Sequence, residues 1–268
     1  MGDDVGRAGT PLPTYDAEHL GELLALLPDV DAVELKVTVP DRDRRDVIQA
    51  LGIDPLGAQI RQVAFVDTGA LALSAAGLVV RLRRTQGRPG DATVKLRPML
   101  PSGVPDSLRG LPGFKVEVDA SPTGYACSCS LTTEVSDKRV RRVLAGDRPV
   151  ASALSDAQEA LLLERMPDGL ALDDLRVLGP VTLLKARFEH RDYPHRMVGE
   201  LWFLPDGAHL LELSTRCAPD EAFRVAAEAE VFLAGHGIDL GAPQEAKTRA
   251  ALAALVATVD GPEGQDDG

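Results

Sequence analysis

The chain has 268 residues, 44% of them hydrophobic, and carries a formal net charge of −12 from 41 acidic and 29 basic side chains. That length and apolar content allow a substantial core, in one large domain or two small ones. The acidic balance argues against a general nucleic-acid surface, which needs a broad basic patch. No apolar run is long enough to cross a bilayer as a helix, and the opening MGDDVGRAG lacks the basic-then-apolar pattern of a signal peptide. A soluble cytoplasmic protein with neither nucleic-acid nor membrane partners is expected. Cys127, Cys129 and Cys217 form no disulfide framework and no zinc spacing, and read as reduced and structural.

Residues 1–13 and 260–268 are rich in Gly, Pro and acids without periodicity and read as tails, leaving 14–259 as one domain. Tyr15 to Leu27 has leucines at helical spacing. Ala32 to Pro40 alternates, with Val33, Leu35, Val37 and Val39 on one face and Glu34, Lys36 and Thr38 on the other, so it predicts a strand. Asp41 stands as N-cap of a helix that Gly52 ends. Ile60 to Val66 is a further strand, after which Asp67 and Thr68 open a short helix closed at Gly77.

Gly77 to Pro98, GLVVRLRRTQGRPGDATVKLRP, reads as a hairpin with basic residues at alternate positions. Centring its turn on Pro89 sets Arg81 opposite Arg97 and Arg83 opposite Lys95, with Leu78, Val80, Leu82, Val94 and Leu96 on the other face. Facing like charges destabilise a sheet, so this pairing predicts a strongly anionic guest, naturally a phosphate chain. FKVEVD, from Phe114 to Asp119, repeats the design with Lys115, Glu117 and Asp119 on one face. Residues 131–178 form a helical excursion that includes the basic face of Lys138, Arg139, Arg141 and Arg142, then a helix capped by Ser155 with Leu161 to Leu163 buried. Leu183 to Arg191 returns to alternation, placing Lys185 and Arg187 on the polar face.

Val198 to Ser214 forms a second hairpin around Pro205-Asp206-Gly207. Centring it on Asp206 places Glu200 opposite Glu212. Two facing carboxylates call for a cation. Pro219 to Leu233 and Gln244 to Val259 close the chain as Ala-rich amphipathic helices. The chain has six lysines, and four of them, Lys36, Lys95, Lys115 and Lys185, lie in strand-like runs. The other two are Lys138 and Lys247.

Strands with one apolar and one charged face can form an open sheet lying on helices, or a barrel whose charged faces turn inward under a helical cover. The strand VELK, the run FVDTGALALSAAGLVVRLRR, the later TVKLRP, FKVEVD and LPDGAHLLELS, in this order from about Asp31 to Val256, resemble the CYTH domain, or triphosphate tunnel metalloenzymes. The resemblance implies an α+β fold with a closed eight-stranded antiparallel tunnel. It also implies a triphosphate held by Lys and Arg, and Mg2+ or Mn2+ held by Glu and Asp. The chain departs from that pattern twice: Ala32 stands where the family opens with a glutamate, and Ser214 where a second carboxylate is common.

On this reading Lys36, Arg81, Arg83, Lys95, Arg97, Lys185 and Arg187 are the candidate phosphate ligands, with Arg suited to bidentate contact and Lys to a point charge. Glu34, Glu117, Asp119, Glu200 and Glu212 are the candidate metal ligands, and Glu34, Lys36 and Glu212 the candidate catalytic set. Interior salt bridges between these same groups are the bland alternative. Trp202 shares the parity of Glu200, and the five histidines form no spaced metal motif. There is no P-loop, dinucleotide fingerprint or nucleophile elbow. The expected function is a metal-dependent phosphohydrolase acting on tripolyphosphate or a nucleoside or organic triphosphate. A non-catalytic binder of polyphosphate or a phosphometabolite with a degenerate metal site, or an adenylate cyclase, are the alternatives.

Overall fold

The structure, a computed structural model, describes residues 17–259. The expected tails at 1–13 and 260–268 lie outside the described residues. Helix α1 (Ala17–Leu26) precedes β1 (Ala32–Val39); α2 (Arg44–Ala50), β2 (Gln59–Asp67) and the single turn α3 (Ala72–Ala75) lead to β3 (Leu78–Thr85) and β4 (Gly90–Leu96). After α4 (Asp106–Arg109) come β5 (Phe114–Ser121) and β6 (Gly124–Val135), then α5 (Asp137–Leu144) and α6 (Asp156–Arg165). The chain closes with β7 (Arg176–His190), β8 (Tyr193–Phe203), β9 (His209–Cys217), α7 (Ala222–Gly235) and α8 (Lys247–Val259).

The strands form a closed barrel of nine, in the order β1-β5-β6-β4-β3-β2-β7-β8-β9. Eight antiparallel strands were expected, and two points are corrected. Strand β6 was not anticipated, because its inward side carries Ser128, Ser130 and Thr132 rather than charges and its outward Cys127 and Cys129 are weak strand signals. The barrel is also mixed, since β1 runs parallel to β5 with Glu34 beside Asp119. The helical excursion is correspondingly shorter than 131–178, because β6 extends to Val135 and β7 begins at Arg176.

Alternation decides which side chains face out. Val80, Leu82, Val94, Val116, Val118 and Leu131 form one buried cluster with Val140 and Val143 of α5 and Leu161 and Leu162 of α6. Val37, Val39, Leu211 and Leu213 form another with Val47 and Leu51 of α2's end and Phe232 and Leu233 of α7. Two side chains tie helices to the barrel. Ser155 and Gln158 form a capping box on α6, and the fully buried Gln158 Nε2 donates to the Ala92 and Leu131 carbonyls at 2.8 and 2.9 Å. Asp67, 2% exposed, accepts from the Thr68, Leu73 and Ser74 amides at the start of α3. Leu163, expected inside, is 52% exposed. Asp41 sits in a 3-10 turn and accepts from Arg44, so the α2 N-cap is Asp43, without a side-chain cap bond.

Turn chemistry fixed one hairpin register as expected and displaced the other. The β8–β9 turn has Gly207 at φ +84°, its amide donating to the Leu204 carbonyl at 3.0 Å, and Glu200 lies opposite Glu212. The β3–β4 turn is centred on Gly87 (φ +70°), not on Pro89, and this pairs Arg81 with Thr93 and Arg83 with Asp91. The expected pairs Arg81/Arg97 and Arg83/Lys95 therefore do not form: Lys95 faces Val79, and the Arg97 amide donates to the Gly77 carbonyl. The displacement is an even number of residues, so every side chain keeps its face.

Candidate functional site

The barrel encloses the charged residues. On the wall of β3 and β4, Arg83 Nε donates to Asp91 Oδ2 at 2.8 Å, and Arg81 Nη2 reaches Thr93 Oγ1 at 3.2 Å and Asp91 Oδ1 at 3.7 Å. Arg81 Nε is buried and has no hydrogen-bond partner among the described residues. Across β1, β4 and β5, Asp119 is surrounded by Lys36 at 2.7 Å, Lys95 at 3.2 Å and Arg97 at 3.3 Å. Burial would raise the Asp119 carboxyl, but these cations hold it well below the usual carboxylate range. Lys36 also pairs with Glu34 at 3.1 Å, and Glu117 pairs with Arg216.

A third group lies where β8 and β9 face each other. Lys185 Nζ donates to Glu200 Oε1 at 2.8 Å, and Lys247 Nζ, from the first residue of α8, lies 2.6 Å from both Glu200 Oε2 and Glu212 Oε1. Burial pulls the Lys247 ammonium down, yet Glu212, Glu200 and Glu34 outweigh it and hold it well above the ordinary lysine value. Glu200 shows the converse: burial raises it, and Lys247 with Lys185 hold it far below its ordinary value. Trp202 is 4% exposed with the Lys247 ammonium 5.9 Å from its ring centroid, a cation–π distance. Its indole nitrogen has no hydrogen-bond partner among the described residues.

The expected ligands are thus brought to one lumen from β1, β3, β4, β5, β7, β8 and β9. Arg97, just past the end of β4, is exposed but paired with Asp119, whereas Arg187 is exposed and without an ion-pair partner among the described residues. Two inward cations escaped the sequence reading. Arg61 shares its parity with Val63 and Phe65, so its face looked apolar. It is 8% exposed, bonded to Gln59, and burial followed by repulsion from Arg83 pushes its guanidinium down to about 10. Lys247 had one available signal, its position outside the strands in a chain of six lysines.

Mg2+ and Mn2+ take oxygen ligands, Mg2+ in near-octahedral geometry. Each of the five carboxylates expected to bind metal is already paired with a lysine or arginine. Ala32 and Ser214 add no carboxylate to the same faces. This donor set, as folded, does not fit a divalent ion. Elsewhere, His190, Asp192 and His236 place potential ligand atoms within 4.8 Å of one another, outside the barrel where the β7–β8 turn meets the end of α7. Chain spacing had given no sign of this group, because His190 and His236 meet through the fold. No described helix is long and apolar enough to cross a membrane.

No protein-family model and no curated protein sequence matches this chain. Solved structures do match its fold. A candidate adenylate cyclase from Bacillus halodurans superposes with a TM-score of 0.57 at 13% identity, covering 82% of this chain and 97% of its own. A candidate adenylyl cyclase from Hippeastrum, described as having a dominant triphosphatase activity, superposes with a TM-score of 0.59 at 18% identity, covering 82% of this chain and 94% of its own. At these identities the likeness is one of fold.

Proposed function

We propose that the lumen binds the phosphate chain of tripolyphosphate, or of a nucleoside or organic triphosphate, and that the protein acts on it as a phosphohydrolase. The observation that carries the reading is the inward set of Lys36, Arg61, Arg81, Arg83, Lys95, Arg97, Lys185 and Lys247. It outnumbers the inward carboxylates in a chain of net charge −12, so the basic character is local and enclosed. The unpartnered Arg81 Nε adds a buried donor that an anionic oxygen would satisfy. Phosphoryl transfer asks a protein mainly to position the phosphates and to neutralise charge as the anhydride opens. Guanidinium groups on β3 and ammonium groups on β1, β4 and β7 supply that neutralisation. The triphosphatase activity of the Hippeastrum relative in fold favours cleavage.

A second reading, binding without turnover, is favoured by one observation: every expected metal carboxylate is already paired with a protein cation. Incubation of the purified protein with tripolyphosphate and with ATP, following phosphate, pyrophosphate and cyclic AMP, separates the readings. Phosphate release is expected. Cyclic AMP would replace the hydrolase with a cyclase, and saturable binding without product would leave the binder. Absence of binding to either compound would remove all three.

A further inference from the structure

Glu200 and Glu212 face each other directly across β8 and β9, and Thr38 of β1 lies beside Glu212 in the next ladder. Such a pair would repel unless a cation stood between them. The structure supplies one from its own chain, with the Lys247 ammonium 2.6 Å from each carboxylate. Glu34 adds to the negative field around it. The segment before Lys247 is anchored on the same wall: Gln244 Oε1 accepts from the Thr38 amide at 2.8 Å, and Thr38 Oγ1 donates to the Glu245 carbonyl at 3.1 Å. Behind it, Ala251, Leu252 and Leu255 are buried against inward-facing apolar residues. The ammonium is therefore held at both ends and is no passing surface contact.

Charge balance gives the consequence. Glu200 and Glu212 are matched by Lys185 and Lys247, so the cage is neutral before any ion enters. A divalent ion would have to displace Lys247 or add two charges to a neutral, buried cluster, and either is costly. We propose that the Lys247 ammonium is the resident cation of this two-carboxylate cage. It stands where a divalent ion would stand, and the chain binds tripolyphosphate without divalent metal. The second half of this statement rests on the proposed function; the first half does not.

The test separates them by titrating Mn2+ alone, calorimetrically, into the full chain, with His236→Ala in every protein titrated, the wild-type reference included, so that the His190, Asp192 and His236 group does not enter the readout. Wild type is expected to show no saturable Mn2+ binding in the millimolar range. Lys247→Met keeps the apolar stem and removes the charge. It is expected to bind Mn2+ at least about tenfold more tightly than wild type, and Lys247→Met with Glu212→Gln to lose that gain. Equal Mn2+ affinity in wild type and Lys247→Met overturns the inference. If the variant does not fold, the wild-type titration decides: saturable binding overturns the inference and its absence supports it. In a second arm wild type is titrated with tripolyphosphate in EDTA and in Mn2+. Affinities within about threefold support the inference, since one charge pair more or less would move them further. Binding that requires Mn2+ overturns it while leaving the proposed function standing. Binding in neither condition removes the proposed function and the metal-free half of the inference, and the Mn2+ titration still decides the cage.

Discussion

The lumen has two ends built from the same strands. On β7 the inward face passes from Leu183 to Lys185, on β8 from Trp202 to Glu200, and on β9 from Leu210 to Glu212, each within one two-residue step. Val63, Phe65, Leu178, Val181, Leu183, Trp202 and Leu210 make the apolar end, and Ala250, Ala251, Leu252 and Leu255 of α8 fill it. The other end is lined by ion pairs and holds the buried Arg81 Nε, which has no hydrogen-bond partner among the described residues. The apolar end is a packed core that happens to lie inside a barrel. The charged end carries desolvated groups that must be paired or bound by a ligand. Lys247 is the joint between them: its helix belongs to the packed end and its charge to the other.

Breaking the packed end should have the largest effect. Leu252 is 3% exposed within it, and Leu252→Asp places a carboxylate among apolar side chains with no partner at hand. A loss of about 3 kcal/mol or more is expected, seen as a fall of roughly 6–12 °C in Tm for a chain of this size. An unchanged Tm would mean that α8 does not dock in the lumen.

At the charged end, the effect should fall on ligand affinity rather than on folding. Lys95→Ala removes one of three cations around Asp119 while Lys36 and Arg97 remain. Calorimetry should show tripolyphosphate binding weakened by about 30-fold, with Tm lowered by only a few degrees. Equal affinity in the two proteins would remove β4 from the binding wall.

Acid should then distinguish the two ends without any mutation. The folded-state pKa of Glu200 lies well below its ordinary value of 4.5. Its pairing therefore contributes stability that is fully present above the unfolded pKa and is lost as pH falls through the folded one. Asp119 behaves in the same sense. Tm is expected to fall progressively as pH drops below about 4.5, and Glu200→Gln should flatten that slope while lowering Tm near neutrality. An unchanged slope in Glu200→Gln would show that the depression is not set by Lys185 and Lys247.

How much of this was legible in the sequence follows from what alternation encodes. Parity alone placed Arg81, Arg83, Lys95, Lys185, Glu200 and Glu212 on the charged faces of their strands, while the resemblance turned those faces inward, and the assignment survived the misplaced β3–β4 turn because an even displacement preserves the face. Facing partners depend on turn geometry: Pro205-Asp206-Gly207 fixed Glu200 against Glu212, whereas Gly87 competed with Pro89 and won. Parity could not tell the wet part of an inward face from the dry part, so Arg61 was lost beside Val63 and Phe65. Nor could it seat α8. An Ala-rich amphipathic helix packs as well on the outside of a barrel as in its mouth, and the choice rests on contacts 35 or more residues away in the chain, such as Lys247 with Glu212.

The smallest expected effect sharpens the contrast between inside and outside. Lys138, Arg139 and Arg142 form a basic face on α5, all exposed, and the buried side of that helix is Val140 and Val143. If net basicity drew the polyanion, reversing one of these charges would weaken binding as Lys95→Ala does. In water and salt, however, an exposed charge is screened over about 10 Å, and a surface substitution of this kind shifts stability by no more than about 0.5 kcal/mol. Arg142→Glu should therefore leave tripolyphosphate affinity within about twofold of wild type at physiological ionic strength. A larger loss would place the phosphate chain on the outer surface of the barrel, and enclosure would no longer account for the affinity.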